Sequence, residues 1–267
     1  MRGPQEPGRI AFEEFRVGAS RRRFFILDGV LDTAAARTIH AHFSRLPMTL
    51  SDSDRPDTRH VRHLKHEFDR AEWDSHPALL LLTGAARAFL RERRIACGSI
   101  YRIYANFNLH GDFQFAHEDG EGWTALAFIN SRWEEDWAGE LILYPGSASS
   151  HAFCVAPQPG RMVVFDGMIR HRGGSPSKLC TDARISLAIK FAPAERAGRE
   201  SVGASTASRS PIPEVEPTTV ASHCQSPDRG AVAARGDGGQ ARSLRPGRDA
   251  ADPDLVRIRS SRVRSTR

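Results

Sequence analysis

Several features that would point to whole classes of protein are missing from this 267-residue sequence. Its four cysteines, Cys97, Cys154, Cys180 and Cys224, form no C-x-x-C pair. This argues against a structural zinc site or a disulfide framework and predicts reduced thiols. The N-terminal residues contain no apolar core of a signal peptide, and no stretch reaches about 18 apolar residues. We therefore expect a cytoplasmic protein that does not bind membranes.

Aromatic residues are missing from the last part of the chain, because all 21 Phe, Trp and Tyr residues precede Pro193. Residues 193–267 contain 13 Arg, no Lys and nine acidic residues, and so carry +4 of the formal net charge of +6. So few apolar side chains cannot offset the chain entropy lost on folding, which predicts a disordered tail over 193–267. The basic charge lies mostly in this tail, so a nucleic-acid partner is not indicated for the folded part.

The remaining chain is interpreted as an N-terminal extension over 1–23 and one folded domain over 24–192. The domain begins with helical patterns of apolar residues, and the first helix has a capping residue at its start. This pattern predicts three elements, which are a strand over 24–31, a helix from Asp32 or Thr33 to about Leu46, and a helix from about Pro77 to Arg94.

From Ile100 onward the apolar residues follow the two-residue period of strands. The predicted strands are the runs YRIYANF, FQFAH, TALAFIN, ELILYP, HAFCVA, RMVVF and RISLAIKF. Their close spacing leaves no room for helical crossovers, so the sheet should be largely antiparallel. The predicted fold class is α+β with a sandwich or jelly-roll barrel, whose mouth suits a metal and a small acid.

One pair of residues with metal-binding side chains lies within the FQFAHEDGEGW segment. His117 and Asp119 are two residues apart, so in a strand both side chains face one way while Glu118 faces the other. His171, which follows the run RMVVF, can supply a third ligand. Two imidazoles and one carboxylate leave three positions of a six-coordinate iron open. An H-x-D pair alone is common by chance. It indicates a metal site only in combination with the features that follow it along the chain.

Arg184 and Ser186 share one face of the predicted strand RISLAIKF. Arginine suits the bidentate binding of a carboxylate, and a serine hydroxyl adds a further hydrogen bond. The pair could therefore hold the distal carboxylate of a dicarboxylic keto acid. Lys178, in the 13-residue interval between His171 and Arg184, is the alternative anchor.

The order of these motifs resembles that of the iron(II)/2-oxoglutarate dioxygenase superfamily, and most of all its prolyl-4-hydroxylase-like branch. The motifs are H-E-D at 117–119, G-E-L at 139–141, P-G-R-M-V-V-F at 159–165, His171 and R-I-S at 184–186. The resemblance covers roughly 24–192 and implies a double-stranded β-helix, or jelly roll, with N-terminal helices packed outside it. It also implies Fe(II), 2-oxoglutarate and O2, with ascorbate as a candidate reductant.

Residue by residue, the resemblance implies the following roles. It assigns the iron ligands to His117, Asp119 and His171, the cosubstrate anchor to Arg184 and Ser186, and a hydrogen bond to the cosubstrate carboxylate to Tyr104. Related halogenases have Gly or Ala in place of the carboxylate ligand. Because Asp119 is present, hydroxylation or another hydrogen-abstraction outcome is expected rather than halogenation.

Other polar and aromatic groups have simpler interpretations. His110 and Asp112 form a second H-x-D that we interpret as part of a turn, with substrate contact as the alternative. A segment with a histidine every third residue is interpreted as polar surface or a substrate-facing lid. Trp123, Trp133 and Trp137 are interpreted as packing residues, and Arg170 and Arg172 as solvated charges. Substrate contact is the alternative for these residues, as it is for His60, His63 and His66.

The sequence therefore predicts a 2-oxoglutarate-dependent dioxygenase that oxidises a small polar metabolite or natural-product intermediate and releases succinate and CO2. A protein side-chain hydroxylase of the prolyl type is the first alternative. A cupin-like metal-binding module without oxygenase activity would need no Arg184 anchor. A nucleic-acid interactor acting through the Arg-rich tail is a further alternative. The sequence does not predict an oligomeric state.

Overall fold

The structure, a computed structural model, describes residues 9–51, 53–146, 151–194, 256–259 and 263–264. Its helices are α1 (Thr33–Phe43), α2 (Arg70–Ser75) and α3 (Pro77–Glu92). Its strands are β1 (Arg9–Val17), β2 (Arg22–Asp28), β3 (Thr49–Ser51), β4 (His63–Glu67), β5 (Ile100–Asn108), β6 (Trp123–Phe128), β7 (Leu141–Tyr144), β8 (Phe153–Val155), β9 (Met162–Asp166), β10 (Arg170–Gly173), β11 (Arg184–Phe191), β12 (Val256–Arg259) and β13 (Val263–Arg264).

The strands form two sheets in which every pairing is antiparallel. The larger sheet has the order β12-β1-β2-β9-β6-β11-β5-β4-β3, with β13 also paired to β1. The smaller sheet has the order β10-β7-β8. Two antiparallel sheets with helices on one outer face are the arrangement expected of the predicted jelly roll. The predicted fold class is confirmed.

Helices α1 and α3 begin where local chemistry allows a helix to start. Asp32 caps α1 by accepting a hydrogen bond from the backbone N–H of Ala35 at 2.8 Å. His76 caps α3, and proline occupies the first position of that helix, where it removes no helical hydrogen bond. The ring of Phe89 in α3 lies 5.1 Å from the ring of Phe25 in β2. The helices therefore cover the outer face of the larger sheet.

Alternate residues of the central strands enter two different environments. In β11, Ile185, Leu187 and Ile189 join the core under the helices. The residues between them face a cavity between the sheets. A second apolar cluster lies between the sheets and includes Phe128 and Phe165. The period of two thus separates a structural face from a polar face, and both are buried.

The structure differs from the predictions at several elements. FQFAH forms no regular strand, and His117 makes only an isolated antiparallel bridge to His171. The histidine-rich segment, predicted as surface or lid, supplies β4 to the larger sheet. Packing of β4 beside β5 overrides its polar sequence, because strand propensity depends on neighbouring strands. The short strands β3 and β10 and the short helix α2 were also not predicted.

Two predicted boundaries fall on segments that are partly described. The N-terminal extension, 1–23, contains β1, which pairs with β2 along its length. In the tail predicted to be disordered, the short strands β12 and β13 pair with β1. An exposed strand edge readily accepts such an added strand. The rest of that tail after residue 194 lies outside the described residues. None of the described helices is long and apolar enough to cross a membrane.

Candidate metal and cosubstrate site

The three predicted iron ligands lie together beside the smaller sheet. His171 is on β10, and the bridge between His117 and His171 brings the 113–119 segment alongside it. Each residue offers one ligand atom, and these three atoms lie within 4.8 Å of one another. Among the described residues, this is the one group of three or more His, Cys, Asp or Glu side chains with such geometry.

Backbone carbonyls fix which nitrogen of each imidazole is available. The Nδ1 of His117 lies 2.9 Å from the carbonyl oxygen of Phe115, and the Nδ1 of His171 lies 2.8 Å from that of Ile169. A carbonyl only accepts hydrogen bonds, so each Nδ1 carries the proton and each Nε2 is left as a lone-pair donor. Burial lowers the pKa of His171 to about 4, which keeps its ring neutral.

The carboxylate of Asp119 completes the triad with its two oxygens in different environments. Its Oδ1 is 3.6 Å from the Nε2 of His117. Its Oδ2 accepts a hydrogen bond from the Thr124 hydroxyl at 2.6 Å and contacts the ammonium of Lys190. Burial alone would raise the pKa of Asp119, but the charge of Lys190 and the contacts with His171 and His117 together outweigh it and lower that pKa strongly. Asp119 is therefore an ionised ligand.

This donor set fits a divalent iron ion. Neighbouring ligand atoms of an octahedral ion with bonds of about 2.1 Å are about 3 Å apart. The Nε2 of His171 lies 3.6 Å from Oδ2 of Asp119, the same separation as on the His117 side. These two distances end on different oxygens of Asp119, and one ligand atom from each of the three residues lies within 4.8 Å of the others, so the side chains move closer together to bind one ion. His117, Asp119 and His171 would hold the metal, as predicted.

Arg184 lies at the start of β11 and is 1% exposed. Its Nε donates to the carbonyl of Gly139 at 2.5 Å, and its Nη1 donates to Asn108 at 3.3 Å and to Ser186 at 3.2 Å. Its Nη2 is buried without a hydrogen-bond partner among the described residues. Burial lowers the pKa of Arg184 to about 10. A buried guanidinium with an unsatisfied N–H group suits a carboxylate ligand.

The positions of the cations favour Arg184 as the anchor of a dicarboxylate that chelates the metal. Lys190 contacts Asp119, one of the three residues proposed to bind the metal. It therefore lies too close to the metal to bind the distal carboxylate of a chelating dicarboxylate. Lys178, the alternative anchor, is exposed and is not among the residues lining the cavity. Arg184 and Ser186 line the same cavity as the triad. The residues present therefore fit 2-oxoglutarate.

Tyr104 also lines this cavity, whose volume is about 230 Å³. Burial raises the pKa of its phenol, so the hydroxyl stays protonated and can donate a hydrogen bond. The ring lies 5.8 Å from the Nζ of Lys190. The hydrogen bond from Tyr104 to the cosubstrate remains a prediction.

The second H-x-D does not join the metal site. Asp112 accepts a hydrogen bond from the backbone N–H of Leu109 at 2.6 Å, which is the contact of a turn. The Nδ1 of His110 donates to the carbonyl of Pro176 at 3.1 Å. Both contacts agree with the interpretation of this pair as a turn.

The three histidines of the 60–66 segment point to different partners. His60 is exposed, His63 lies 3.0 Å from Asp54, and the Nδ1 of His66 donates to the carbonyl of Pro47 at 2.8 Å. These three side chains therefore do not converge on one point. His63 nevertheless lines the cavity.

The tryptophans and the two arginines beside His171 lie outside the group that lines this cavity. Trp123 packs with Phe25 in the core under the helices, and Trp133 forms an edge-to-face pair with Trp137. Arg172 donates to the hydroxyl of Tyr144 at 2.9 Å. Arg170 lines a separate, smaller pocket.

No protein-family model and no curated protein matches this sequence. Solved structures do match. A prolyl hydroxylase from Trichoplax adhaerens, solved with a hypoxia inducible factor oxygen degradation domain peptide fragment, is 14% identical, with a TM-score of 0.50 over 64% of this chain and 83% of that one. This chain has the fold of a prolyl hydroxylase. The predicted fold, that of the iron(II)/2-oxoglutarate dioxygenases and their prolyl-4-hydroxylase-like branch, is confirmed.

Two bacterial structures match this prolyl hydroxylase fold at a similar level. One is a prolyl-4-hydroxylase from Pseudomonas putida, 16% identical, with a TM-score of 0.49 over 64% of this chain and 92% of that one. The other is a 2OG-Fe(II) oxygenase family oxidoreductase from Burkholderia pseudomallei, 19% identical, with a TM-score of 0.48 over 65% of this chain and 88% of that one. At these identities the likeness concerns the fold and not the substrate.

Sequence reasoning missed several side chains of the site. Lys190 lies on the same face of β11 as Arg184 and Ser186, because alternate residues of a strand face the same side. Extending this rule to the end of the strand would have predicted it. Lys65 was missed because its segment was not predicted as a strand. Thr124 and Asp54 had no sequence signal, since each acts through a partner that only the fold brings near.

Proposed function

We propose that this protein is an iron(II)- and 2-oxoglutarate-dependent dioxygenase that hydroxylates, or otherwise oxidises, a small polar metabolite. The observation that supports this most directly is the shared cavity of the His117, Asp119 and His171 triad and the buried Arg184. A metal triad alone also occurs in other metalloproteins. An arginine with an unsatisfied buried N–H group beside it adds a carboxylate site.

In the proposed reaction the bound iron and 2-oxoglutarate supply the oxidising power. One oxygen atom of O2 enters succinate as 2-oxoglutarate loses CO2, and the other enters a substrate C–H bond. The chain's own residues bind and orient. The triad fixes the metal, Arg184 and Ser186 hold the distal carboxylate, and Tyr104 is proposed to donate a hydrogen bond to the cosubstrate.

A small substrate is supported by the size and polarity of the cavity. Its volume of about 230 Å³ lies below the range of about 300–1,000 Å³ typical of drug-sized ligand pockets. Its lining is rich in charged and polar side chains, including Lys65 and Arg102. These features favour a metabolite over an extended polypeptide.

The proposal is tested by succinate formation with purified protein loaded with Fe(II) under air. Wild type should convert 2-oxoglutarate to succinate, slowly without substrate and faster with the correct one. His117→Ala and Asp119→Ala should abolish this conversion, because removing a ligand severely weakens metal binding. His110→Ala, which alters the turn H-x-D, should behave as wild type. Succinate formation that survives in both ligand variants would sink the assignment.

The alternatives make different predictions in the same assay. A cupin-like module should bind the metal but not 2-oxoglutarate, which calorimetry on the oxygen-free protein measures. A prolyl-type protein hydroxylase should be stimulated by proline-containing peptides rather than by small acids or sugars. Coupled succinate production over both panels therefore separates the metabolite proposal from the protein-substrate alternative. Ascorbate should act only by sustaining the ferrous state.

A further inference from the structure

Three cationic side chains surround the ring of Tyr104 on the cavity side of the larger sheet. The guanidinium carbon of Arg102 lies 4.5 Å from the ring centre, and the ammonium nitrogens of Lys65 and Lys190 lie 5.1 and 5.8 Å from it. Each lysine is only 5% exposed. We call Lys65, Arg102 and Lys190 the Tyr104 cation cluster.

The pairing of three strands places Lys190 and Arg102 away from the cosubstrate anchor, whereas Lys65 is in register with Ser186. On β11, Lys190 lies opposite Arg102, six residues along the strand from Arg184. On β4, Lys65 lies opposite Asn106 of β5. With about 3.4 Å per residue, the backbones of Arg184 and Lys190 are about 20 Å apart along the strand. Arg184 therefore lies at one end of the cavity, and Lys190 and Arg102 lie towards the other end.

Metal binding makes the cation cluster more favourable for an anion. Glu67 accepts from Arg102 at 2.6 Å and lies 3.9 Å from Lys65. Lys190 contacts Asp119. When a divalent ion binds Asp119, that carboxylate shares its charge with the metal, and Lys190 then faces a nearby dication. Two like charges at short range in a buried site repel strongly, so an added anionic group lowers the energy.

We propose that the Tyr104 cation cluster binds an acidic group of the substrate, a carboxylate or a phosphate, beside the metal. The proposal rests on the proposed function and narrows its substrate class to small anionic metabolites. Lys65 and Lys190 contact the acidic group directly. The acid group lies beside Lys190, six residues along β11 from Arg184, so substrate and cosubstrate bind together.

The test uses full-length protein loaded with Mn(II) and saturated with 2-oxoglutarate under nitrogen. Three probes of similar size are titrated in, namely propionate, methyl phosphate and the neutral propionamide. Paramagnetic broadening of their proton signals reports binding close to the metal. Propionate or methyl phosphate should bind at least about tenfold more tightly than propionamide, and the tighter of the two identifies the acid group. Equal binding of propionamide and both anions would overturn the proposal.

Variants separate the cluster from the metal site and from the cosubstrate site. Lys65→Met and Lys190→Met should each weaken anion binding about tenfold, the loss of one charge-assisted hydrogen bond, and leave propionamide unchanged. The exposed Lys178→Met is the matched control and should bind as wild type. Lys190→Met removes a contact to the metal ligand Asp119, so Lys65→Met is the informative variant if Lys190→Met loses metal. Unaltered anion binding in Lys65→Met contradicts the proposal.

Competition with the cosubstrate is measured in the same samples. If raising 2-oxoglutarate displaces the anionic probes, they were using the Arg184 site and the cluster is not a substrate site. Failure of the proposed function looks different, because 2-oxoglutarate would then not bind the Mn(II)-loaded protein at all. Calorimetric titration of 2-oxoglutarate with each variant makes that distinction.

Discussion

The buried guanidinium of Arg184 has both satisfied and unsatisfied hydrogen-bond donors. Three of its hydrogen bonds hold the guanidinium in place, through Gly139, Asn108 and Ser186. Its Nη2 is left without a partner among the described residues. A buried donor without a partner costs about 1–3 kcal/mol, and a ligand carboxylate removes that cost. The arginine is thus held in position before the cosubstrate arrives.

Replacing Arg184 should therefore act on cosubstrate binding. We expect Arg184→Met to raise the Kd for 2-oxoglutarate at least about a hundredfold, because two charge-assisted hydrogen bonds are lost. Arg184→Lys should retain part of the affinity, since an ammonium cannot bind in the bidentate mode. Calorimetry on the oxygen-free Mn(II) form measures both. A wild-type Kd in Arg184→Met would show that the anchor lies elsewhere.

The hydroxyl of Thr124 should affect the metal rather than the cosubstrate. It donates to Oδ2 of Asp119 at 2.6 Å and thereby leaves Oδ1 for the ion. Thr124→Val keeps the volume but removes the donor, and we expect metal affinity to fall about 10- to 100-fold. Competition with a chelator measures that affinity. Thr83→Val, at a buried threonine of α3, is the control and should leave it unchanged.

Among the elements, β11 carries both packing and function. Its odd-numbered residues, such as Ile185 and Leu187, pack under the helices, while Arg184 and Ser186 on the even face line the cavity. This division follows from the period of two, so the sequence predicts it directly. The 113–119 segment is the opposite case. It contains two metal ligands but no regular strand, and its extended path depends on the bridge to β10.

The junction between α2 and α3 should make stability depend on pH. The Nδ1 of His76 accepts a hydrogen bond from the N–H of Ala78 at 3.2 Å and so caps α3. Burial and the neighbouring His42 lower the pKa of His76 below its ordinary value of 6.5. The unfolded chain then binds more protons below pH 6.5, and stability falls as pH falls through the lower, folded pKa.

Asparagine at position 76 can cap the helix without titrating. We expect His76→Asn to lose less of its free energy of unfolding than wild type between about pH 7 and pH 5. Urea unfolding at several pH values measures this. His60→Asn, at an exposed histidine, should follow the wild-type curve. If the free energy of unfolding of His76→Asn falls as steeply with decreasing pH as that of wild type, the role of this cap is contradicted.

At the scale of the whole molecule, two apolar clusters determine where the site can lie. One packs under α1 and α3, and the other lies between the sheets and includes Val163 and Phe165. The polar cavity is the part of the space between the sheets that the second cluster does not fill. The ring of Phe165 lies 4.6 Å from that of His171, so the cluster supports the metal ligand directly.

Shortening the chain to residues 1–194 should separate stability from function. Every residue that lines the cavity precedes this end point, so 2-oxoglutarate affinity should stay within about twofold of the full-length value. The strand β1 loses the pairing with β12 and β13. We expect the melting temperature to fall by a few degrees, since about 1 kcal/mol corresponds to about 2–4 °C in a domain of this size.

The shortened chain also tests the nucleic-acid alternative. If the Arg-rich tail carried the function, loss of 195–267 would abolish it together with any salt-dependent DNA or RNA binding. Retained succinate formation by the shortened protein removes that alternative. Thermal unfolding, calorimetry and the succinate assay on one preparation give all three results.

Local chemistry allowed the sequence to determine much of this protein. The capping residues and the helical spacing of apolar residues predicted α1 and α3. The order of His117, Asp119, His171 and Arg184 along the chain indicated the proposed metal and cosubstrate site. These features depend on neighbours a few residues apart or on motifs with a fixed order along the chain. The fold was therefore predictable from the sequence, and so was the group of three side chains proposed to hold the metal.

Only the tertiary structure decided which distant side chains share the cavity. Lys65 enters it because β4 pairs with β5, and Lys190 reaches Asp119 because β11 lies beside β6. The two positions are separated by 125 residues in the sequence. Their meeting depends on strand order and register, which long-range packing sets and no local pattern encodes. For that reason the sequence indicated the proposed metal site, and the fold was needed to bring Lys65 and Lys190 into the same cavity.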